Sequence, residues 1–149
     1  VQSRDNRNDM KKCIIMMAAA AMAAAACSQA VKSPVGQWKI VAADGEKVQT
    51  VEKTPYIVFG EDGRVHSCLG VNIANGSYKF DGDKLKIGEM GLTMMAGLPQ
   101  DMAVENKVRE AINAVERISY SADTLKLSDA EGNVRLALVP ATDAEVSQD

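Results

Sequence analysis

The chain has 149 residues and a formal net charge of −3 at pH 7, which fits one domain of mildly acidic character. Removing the first 26 residues, which hold four of the cations, leaves 13 basic and 18 acidic residues. An acidic domain without a Lys/Arg cluster lacks the electrostatic footprint of a nucleic-acid-binding protein, so nucleic acid is excluded as a partner.

Residues 10–26 have the three-part layout of a secretory signal. Two lysines follow Met10, an uncharged stretch covers residues 13–26, and small residues precede Cys27. The stretch is shorter than the roughly 18–20 residues that cross a bilayer, so no permanent transmembrane helix is expected. The alternative, an alanine-rich core helix of a soluble domain, would leave the placement of the two lysines and of Cys27 to coincidence.

Cys27 is the predicted lipidation site. The preceding Ala-Ala-Ala is similar to a lipobox, although leucine is usual where Ala24 stands. Small side chains let a peptidase approach the backbone, and two or more acyl chains anchor a protein stably at about 0.8 kcal/mol per buried CH₂. We therefore expect a lipoprotein of the cell envelope, anchored through Cys27 to the outer membrane and facing the periplasm.

This interpretation divides the chain into five parts, with translation beginning at Met10. They are an upstream misassigned extension (1–9), the signal peptide (10–26), a short polar tether (27–34), the folded domain (35–141) and a flexible tail (142–149). A domain of about a hundred residues can form a hydrophobic core without disulfides or metals.

Alternation with a period of two predicts the strands. The clearest runs are residues 84–87, 124–127 and 134–139, and further strands are expected at 38–42, 56–59, 64–69 and 77–80. In the last clear run, Val134, Leu136 and Leu138 share one face. Residues 56–59 are apolar on both faces, which is typical of a covered strand.

Turn residues separate these runs. Asp62-Gly63, Asp81-Gly82 and Glu131-Gly132-Asn133 each lie between two predicted strands, where glycine supplies the positive φ of a tight hairpin. Successive hairpins predict an antiparallel sheet, and short strands at this spacing predict that it curls into a barrel. The predicted fold class is therefore mainly β, of the α+β type.

One helix interrupts the strands, and it is expected to pack against the sheet. Its apolar stripe, spaced i, i+4, i+7, i+8 and i+11, comprises Val104, Val108, Ala111, Ile112 and Val115. Asp101 is the predicted N-cap. The side chains predicted to face away from the sheet are Glu105, Arg109, Glu110 and Asn113.

Bulky side chains are expected to fill the interior of the barrel. The inward-facing candidates are Trp38, Ile40, Tyr56, Val58, Leu85, Ile87, Leu125, Leu127, Leu136 and Leu138. Ordinary packing of these groups predicts no enclosed apolar cavity near the roughly 300 Å³ at which ligand pockets begin.

Catalytic chemistry has few candidates in this chain. His66 and Cys68 share one face of a predicted strand and could form a nucleophile or zinc pair, but an ordinary strand position is the favoured interpretation. With Cys13 removed in the signal and Cys27 acylated, no intramolecular disulfide is expected. We predict no catalytic residues, no metal site, no cofactor and no enzymatic activity.

Two further groups of residues have structural as well as functional interpretations. The carboxylates are scattered, and no two are singled out as a glycosidase pair: Asp62, Asp81, Asp83, Glu105 and Asp129. Four methionines surround a glycine-containing stretch, where they could bind a soft metal or form an adaptable surface: Met90, Met94, Met95 and Met102. Core filling or a flexible apolar loop is the favoured interpretation.

Several short motifs follow one another in an order that resembles the META domain family, in its HslJ-like form. They are Gly36-Gln37-Trp38, Phe59 with Asp62-Gly63-Arg64-Val65, Gly70-Val71-Asn72, Asn75-Gly76-Ser77-Tyr78, Thr93-Met94-Met95-Ala96-Gly97, a helix with Glu105, and Asp123-Thr124-Leu125-Lys126-Leu127. The family usually has cysteine where Val71 and Gly97 stand, so any contact or disulfide between those thiols is missing here.

The resemblance implies a small lipocalin-like barrel with one packed helix. Members of the family are often secreted or lipid-anchored and are linked to envelope or stress responses, while their molecular activity is poorly defined. The leading hypothesis is a non-catalytic, monomeric envelope lipoprotein that maintains the envelope or responds to stress, with its protein partner or small ligand unknown. The alternative is a small-molecule carrier that uses the barrel interior, and a third is an enzyme or enzyme inhibitor.

Overall fold

Ten strands and two helices follow one another within residues 30–147, the part of the chain that the computed structural model describes. The strands are β1 (Gly36–Ala43), β2 (Glu46–Lys47), β3 (Tyr56–Phe59), β4 (Arg64–Cys68), β5 (Ile73–Asp81), β6 (Lys84–Ile87), β7 (Gly91–Leu92), β8 (Arg117–Ser121), β9 (Thr124–Ser128) and β10 (Val134–Pro140). The helices are α1 (Pro99–Ala114) and α2 (Asp143–Val146).

The strands form one antiparallel sheet that closes on itself. Its order is β10-β9-β8-β6-β5-β4-β3-β1, and β10 also pairs with β1. Two short strands lie outside this ring: β2 pairs with β1, and β7 pairs with β5. The predicted α+β fold, an antiparallel sheet curled into a ring with one packed helix, is confirmed.

Turns and one narrow seam define how the ring closes. Gly63, between β3 and β4, and Gly82, between β5 and β6, have φ values of 78° and 66°, as tight hairpins require. The β6–β8 seam is short, because Lys84 and Arg117 form its single register pair. The chain between these two strands contains β7 and α1, so β6 and β8 are neighbours in the ring although the helix separates them in the sequence.

The interior is a single apolar cluster to which both sheet and helix contribute. Eight of the ten predicted inward-facing side chains belong to it: Trp38, Ile40, Leu85, Ile87, Leu125, Leu127, Leu136 and Leu138. The helix adds Val108, Ala111 and Ile112, and Val115 follows at its C-cap. The helix contacts β10 and β1 and thereby joins the core.

The prediction of which side chains of β3 point into the core was wrong. Ile57 and Phe59 enter the core cluster, whereas Val58 is only half-buried. The reason is the register with β1, which sets Trp38 opposite Ile57. Tyr56 is fully buried but lies outside that cluster. Because the strand is apolar on both faces, its sequence holds no information about which face is inward.

Val134 was also misplaced, since it does not share the buried face of Leu136 and Leu138. Its side chain is 43% exposed. The pairing of β10 with β9 shifts register between Val134 and Leu136, which indicates a bulge or irregularity. Such a shift turns the residues before it away from the face that the alternation predicts.

The acidic residues of α1 take positions that differ from the predicted ones. Leu98, not Asp101, is the N-cap residue, and Asp101 lies buried in the first turn. Glu105 is buried as well, although it was predicted to face solvent. Both departures have the same cause, because these carboxylates accept hydrogen bonds from loops that pack on the helix.

Both ends of the described chain lie against the barrel. Residues 31–34 were predicted as part of a polar tether, but Val31 packs on the core and Pro34 is buried. At the other end, the predicted tail contains the single helical turn α2. Its Glu145 accepts the Thr142 N–H at 2.9 Å and the Lys39 ammonium at 3.2 Å, and both contacts lower the pKa of Glu145.

Candidate binding surface

Asn72, in the turn between β4 and β5, is the centre of a buried hydrogen-bond network. Its Oδ1 accepts hydrogen bonds from Thr93 Oγ1 at 2.9 Å and from the Met95 backbone N–H at 2.6 Å. Its Nδ2 donates to the Met95 carbonyl at 3.1 Å and to Glu105 Oε1 at 2.8 Å. Every donor and acceptor of the amide therefore has a partner in a good geometry.

Glu105 connects this network to α1. Its Oε2 accepts the backbone N–H groups of Val71, at 3.2 Å, and of Asn72, at 2.6 Å. Burial of a carboxylate is tolerated when its oxygens receive several hydrogen bonds, as they do here. Glu105 thus fixes the β4–β5 turn to the helix.

Asp101 fixes a second loop in the same way, one helical turn earlier. Its side chain is fully buried, with Oδ1 accepting the Val51 N–H at 2.9 Å and Oδ2 the Glu52 N–H at 3.1 Å. Residues four apart lie on one face of a helix, so Asp101 and Glu105 project from the same side of α1. The two acids attach two separate loops to the helix.

Residues 94–98, here called the apolar loop, present large apolar side chains to solvent above this network. Met94 is 92% exposed, Met95 51% and Leu98 42%. The backbone just before these residues is bound to the start of β5 by two hydrogen bonds. Thr93 Oγ1 accepts the Ile73 N–H at 3.0 Å, and the Thr93 N–H donates to the Ile73 carbonyl at 3.0 Å. The apolar loop is therefore a fixed backbone with exposed side chains.

A shallow groove of about 310 Å³ runs from the apolar loop to α1. Asn106 and Arg109 line its helical side, and Arg109 donates to the Asn106 amide oxygen at 2.9 Å. Within residues 30–147, Arg109 has no carboxylate as an ion-pair partner. The groove thus combines exposed methionines with a cation at its edge.

Val71 and Gly97, the two positions at which the family resemblance predicted missing cysteines, are in contact. A Cβ at Gly97 would lie 2.5 Å from Val71 Cγ2 and 3.3 Å from Val71 Cβ. The valine side chain therefore occupies the space that a side chain at position 97 would need. Packing of Val71 on the Gly97 backbone joins the β4–β5 turn to the apolar loop without a disulfide.

His66 and Cys68, the candidate nucleophile or zinc pair, are placed differently: His66 contacts two polar side chains, and Cys68 is buried. His66 Nε2 lies 3.0 Å from the Tyr56 hydroxyl, and Nδ1 lies 2.7 Å from Asn75 Oδ1. Because an amide oxygen only accepts, the proton is assigned to Nδ1, and Nε2 then accepts from Tyr56. Cys68 is buried, so its sulfur is not presented to a substrate.

Asp129, one of the scattered carboxylates, stabilises the turn between β9 and β10. Asp129 Oδ1 accepts the N–H groups of Glu131 at 3.1 Å and Asn133 at 2.9 Å. Partial burial works to raise the pKa of Asp129, but the hydrogen bonds from Asn133 and Glu131 and the charge of Arg135 lower it overall. Within residues 30–147, no three His, Cys, Asp or Glu side chains are placed to hold a metal ion.

The predicted lack of a transmembrane helix concerned residues 13–26, which lie outside the described residues. Cys27, the predicted lipidation site, lies outside the described residues. Among residues 30–147, no helix has the length and apolar character needed to span a membrane.

The motifs that meet around Asn72 belong to one family pattern, and the sequence profile of the META domain matches residues 29–142. The chain belongs to the META domain family. No curated protein sequence matches it. The META domain thus accounts for nearly all of the described chain.

Solved structures of similar fold support the same architecture. The NMR structure of a protein from Burkholderia xenovorans has a TM-score of 0.59 and 21% identity, covering 72% of this chain and 82% of that chain. A second NMR structure has a TM-score of 0.56 and 21% identity, covering 75% and 92%. The crystal structure of a DUF4847 family protein from Bacteroides vulgatus has a TM-score of 0.55 and 14% identity, covering 71% and 92%. At these identities the likeness concerns the fold alone.

Sequence reasoning missed the roles of Asp101 and Glu105 in this META domain, although a signal for both was present. Together with Val108 and Ile112 they are spaced i, i+4, i+7 and i+11, which continues the buried stripe of the helix. Acids on a buried stripe indicate hydrogen bonding to something outside the helix. The exposure of Met94 has no comparable signal.

Proposed function

We propose that this chain is a non-catalytic, lipid-anchored envelope protein whose META domain presents the apolar loop to a partner protein, in envelope maintenance or stress response. One observation carries the binding role: Met94 is 92% exposed on a loop whose backbone is held from below by Asn72. The anchoring role is carried by the lipobox-like sequence that ends at Cys27.

The apolar loop has two properties that suit protein binding. Methionine is unbranched and polarisable, so exposed methionines adapt to the shape of an apolar partner. A backbone that is already held by hydrogen bonds loses little conformational entropy when the partner binds. Arg109 at the edge of the groove adds a cation, so the expected partner segment has an apolar side chain close to a carboxylate.

The polar residues are engaged in ways that support a non-catalytic role. Both ring nitrogens of His66 lie against Tyr56 and Asn75, and the buried carboxylates of Asp101 and Glu105 accept loop N–H groups. Groups held in this way are already satisfied and do not converge on a vacant reacting centre.

The carrier alternative requires space inside the barrel. The interior positions Leu85, Leu125, Leu127, Leu136 and Leu138 are all fully buried within one continuous cluster. Interiors packed in this way reach the density of organic crystals and have few voids larger than a water molecule. This packing favours a binding surface over an internal ligand site.

Complementation of a deletion strain under envelope stress tests the proposal. We expect the full chain to restore growth in the presence of detergent, and Cys27→Ala or the double variant Met94→Asp/Met95→Asp to fail. Val134→Asp is the control, because it places a negative charge on another exposed apolar residue of the barrel and should complement.

Three results would contradict the proposal. A deletion strain that tolerates detergent as well as its parent would remove the envelope role. Full complementation by Cys27→Ala would remove the anchoring role. Full complementation by Met94→Asp/Met95→Asp, at equal protein level, would remove the role of the apolar loop.

A further inference from the structure

We infer that the barrel end containing Trp38 and Tyr120 faces the lipid surface at close range, which places the apolar loop at the opposite end, in the aqueous space. This inference rests on the proposed acylation of Cys27. It assigns the lipid surface and the partner protein to different ends of the domain.

The first step is the attachment of the chain to the barrel just after the proposed lipid. Trp38 Nε1 donates to the Pro34 carbonyl at 2.7 Å, and the Tyr120 hydroxyl donates to the Ser33 carbonyl at 3.0 Å. Pro34 is buried, and Val31 packs on the core cluster. From Val31 onward, the chain is part of the folded domain.

The second step is the reach of what remains. Residues 28–30 separate Cys27 from Val31. At roughly 3.3–3.6 Å per residue, the Cα atoms of Cys27 and Val31 can be at most about 14 Å apart. Strand β5 alone, with nine residues, spans about 30 Å. The connection is therefore much shorter than the domain that it holds.

The third step locates the two ends of the barrel by strand register. Gly36, where β1 begins, lies opposite Phe59, and Lys39 lies opposite Tyr56. Tyr56 in turn pairs with Cys68, at the end of β4. The tether therefore joins the barrel at the Phe59 end of β3, and the end of β4 lies toward the other side.

The apolar loop belongs to that other side. Cys68 pairs with Ile73 at the start of β5, and Ala74 pairs with Leu92 in β7, two residues before Met94. Asp101 and Glu105 fix the neighbouring loops at the same end. A lipid on Cys27 thus lies close to one end of the barrel, and Met94 lies at the far end.

The chemistry of the near end fits a lipid headgroup region. A groove of about 540 Å³ opens there, with Val31, Trp38, Tyr120 and Pro140 among its lining residues and the exposed Lys32 beside them. The rings of Trp38 and Tyr120 are 6.1 Å apart and tilted. Tyrosine is enriched at membrane–water interfaces, and a lysine there can pair with lipid phosphate. Trp38 is only 7% exposed and packs against the Tyr120 ring from the core side.

Fluorescence quenching in vesicles tests this orientation. The full chain is produced in bacteria, extracted from membranes in its acylated form and reconstituted in phosphatidylcholine vesicles that contain a spin-labelled headgroup lipid. Two variants carry the same dye, one at Lys32→Cys near the tether and one at Met94→Cys in the apolar loop. Both parent residues are exposed, so neither substitution removes a core contact.

We expect the dye at position 32 to be quenched several-fold more strongly than the dye at position 94. The fluorescence of Trp38, the one tryptophan of the chain, should also be quenched on binding to these vesicles. Equal quenching of the two dyes, or stronger quenching at position 94, would overturn the orientation while leaving the lipid anchor intact.

Mass spectrometry of the same preparation separates the two proposals. An acylated Cys27 with unequal quenching in the expected sense supports both of them. A chain without acylation that does not bind vesicles contradicts the proposed function, and the orientation with it. An acylated, vesicle-bound chain with the reverse quenching pattern contradicts the orientation alone.

Discussion

Glu105 accepts two hydrogen bonds from Asn72, one from its backbone N–H at 2.6 Å and one from its side-chain Nδ2 at 2.8 Å. The helix and the β4–β5 turn are joined through this pair, and the Asn72 amide also donates to the Met95 carbonyl and accepts from the Met95 N–H. This residue pair therefore links the exposed loop to the side of the helix.

Glu105→Gln should lower the free energy of unfolding by about 2 kcal/mol, since one oxygen becomes an NH₂ group facing donors and a buried charged hydrogen bond is lost. Glu110→Gln, on the exposed face of the same helix, should change it by less than about 0.5 kcal/mol. Urea denaturation followed by circular dichroism measures both. Equal effects would show that the Glu105 carboxylate has no special contribution.

The Met95 amide should exchange with solvent slowly, although its side chain is half-exposed, because this N–H donates to Asn72 Oδ1. Thr93→Val removes the hydroxyl that bonds to both Asn72 and Ile73 and should speed exchange at Met95. Thr124→Val, at the start of β9, is the control substitution. Hydrogen exchange measured by NMR decides the matter, and rapid exchange at Met95 in the parent chain would contradict a held loop.

A disulfide should form in the double variant Val71→Cys/Gly97→Cys. The two Cβ positions are 3.3 Å apart, close to the 3.5–4.5 Å typical of disulfides, so a small shift suffices. Closing the loop from residue 71 to residue 97 stabilises by up to about 3.5 kcal/mol in the chain-entropy description. Thermal unfolding with and without reductant measures the gain, and Val71→Cys alone is the control. Free thiols that persist at positions 71 and 97 under oxidising conditions would contradict the contact.

Asp129 should contribute a pH-dependent part of the stability. Its pKa is lowered in the folded state, so its contribution is present above the unfolded value near 3.9 and is lost as the pH falls through the folded value. The stability advantage of the parent chain over Asp129→Asn should therefore be largest near neutral pH and shrink below about pH 4. Denaturation curves across this range test the sign. An advantage that grows on acidification would show that the direction is wrong.

Local patterns in the sequence were sufficient for much of the fold. Alternation predicted strands such as β6 and β9, the Gly63 and Gly82 turns have the expected positive φ, and the Val108 and Ile112 stripe is buried. These features depend on neighbours a few residues away, so a single chain contains the information for them. The strand spacing and the family motifs both predicted that the sheet closes into a barrel.

Other features depend on residues that meet only after folding. Asp101 accepts N–H groups of residues about fifty positions earlier in the chain, and Glu105 accepts N–H groups of residues about thirty-four positions earlier. Helical spacing could indicate that these acids are buried, but not which loops they bind. The facing of β3 followed from its register with Trp38, because an apolar strand satisfies either face. Met94 is exposed because the hydrogen-bond network around Asn72 holds the loop backbone outside the core, although the side chains of the loop are apolar. Periodicity encodes which residues can be buried, whereas long-range hydrogen bonds and strand register select which of them are.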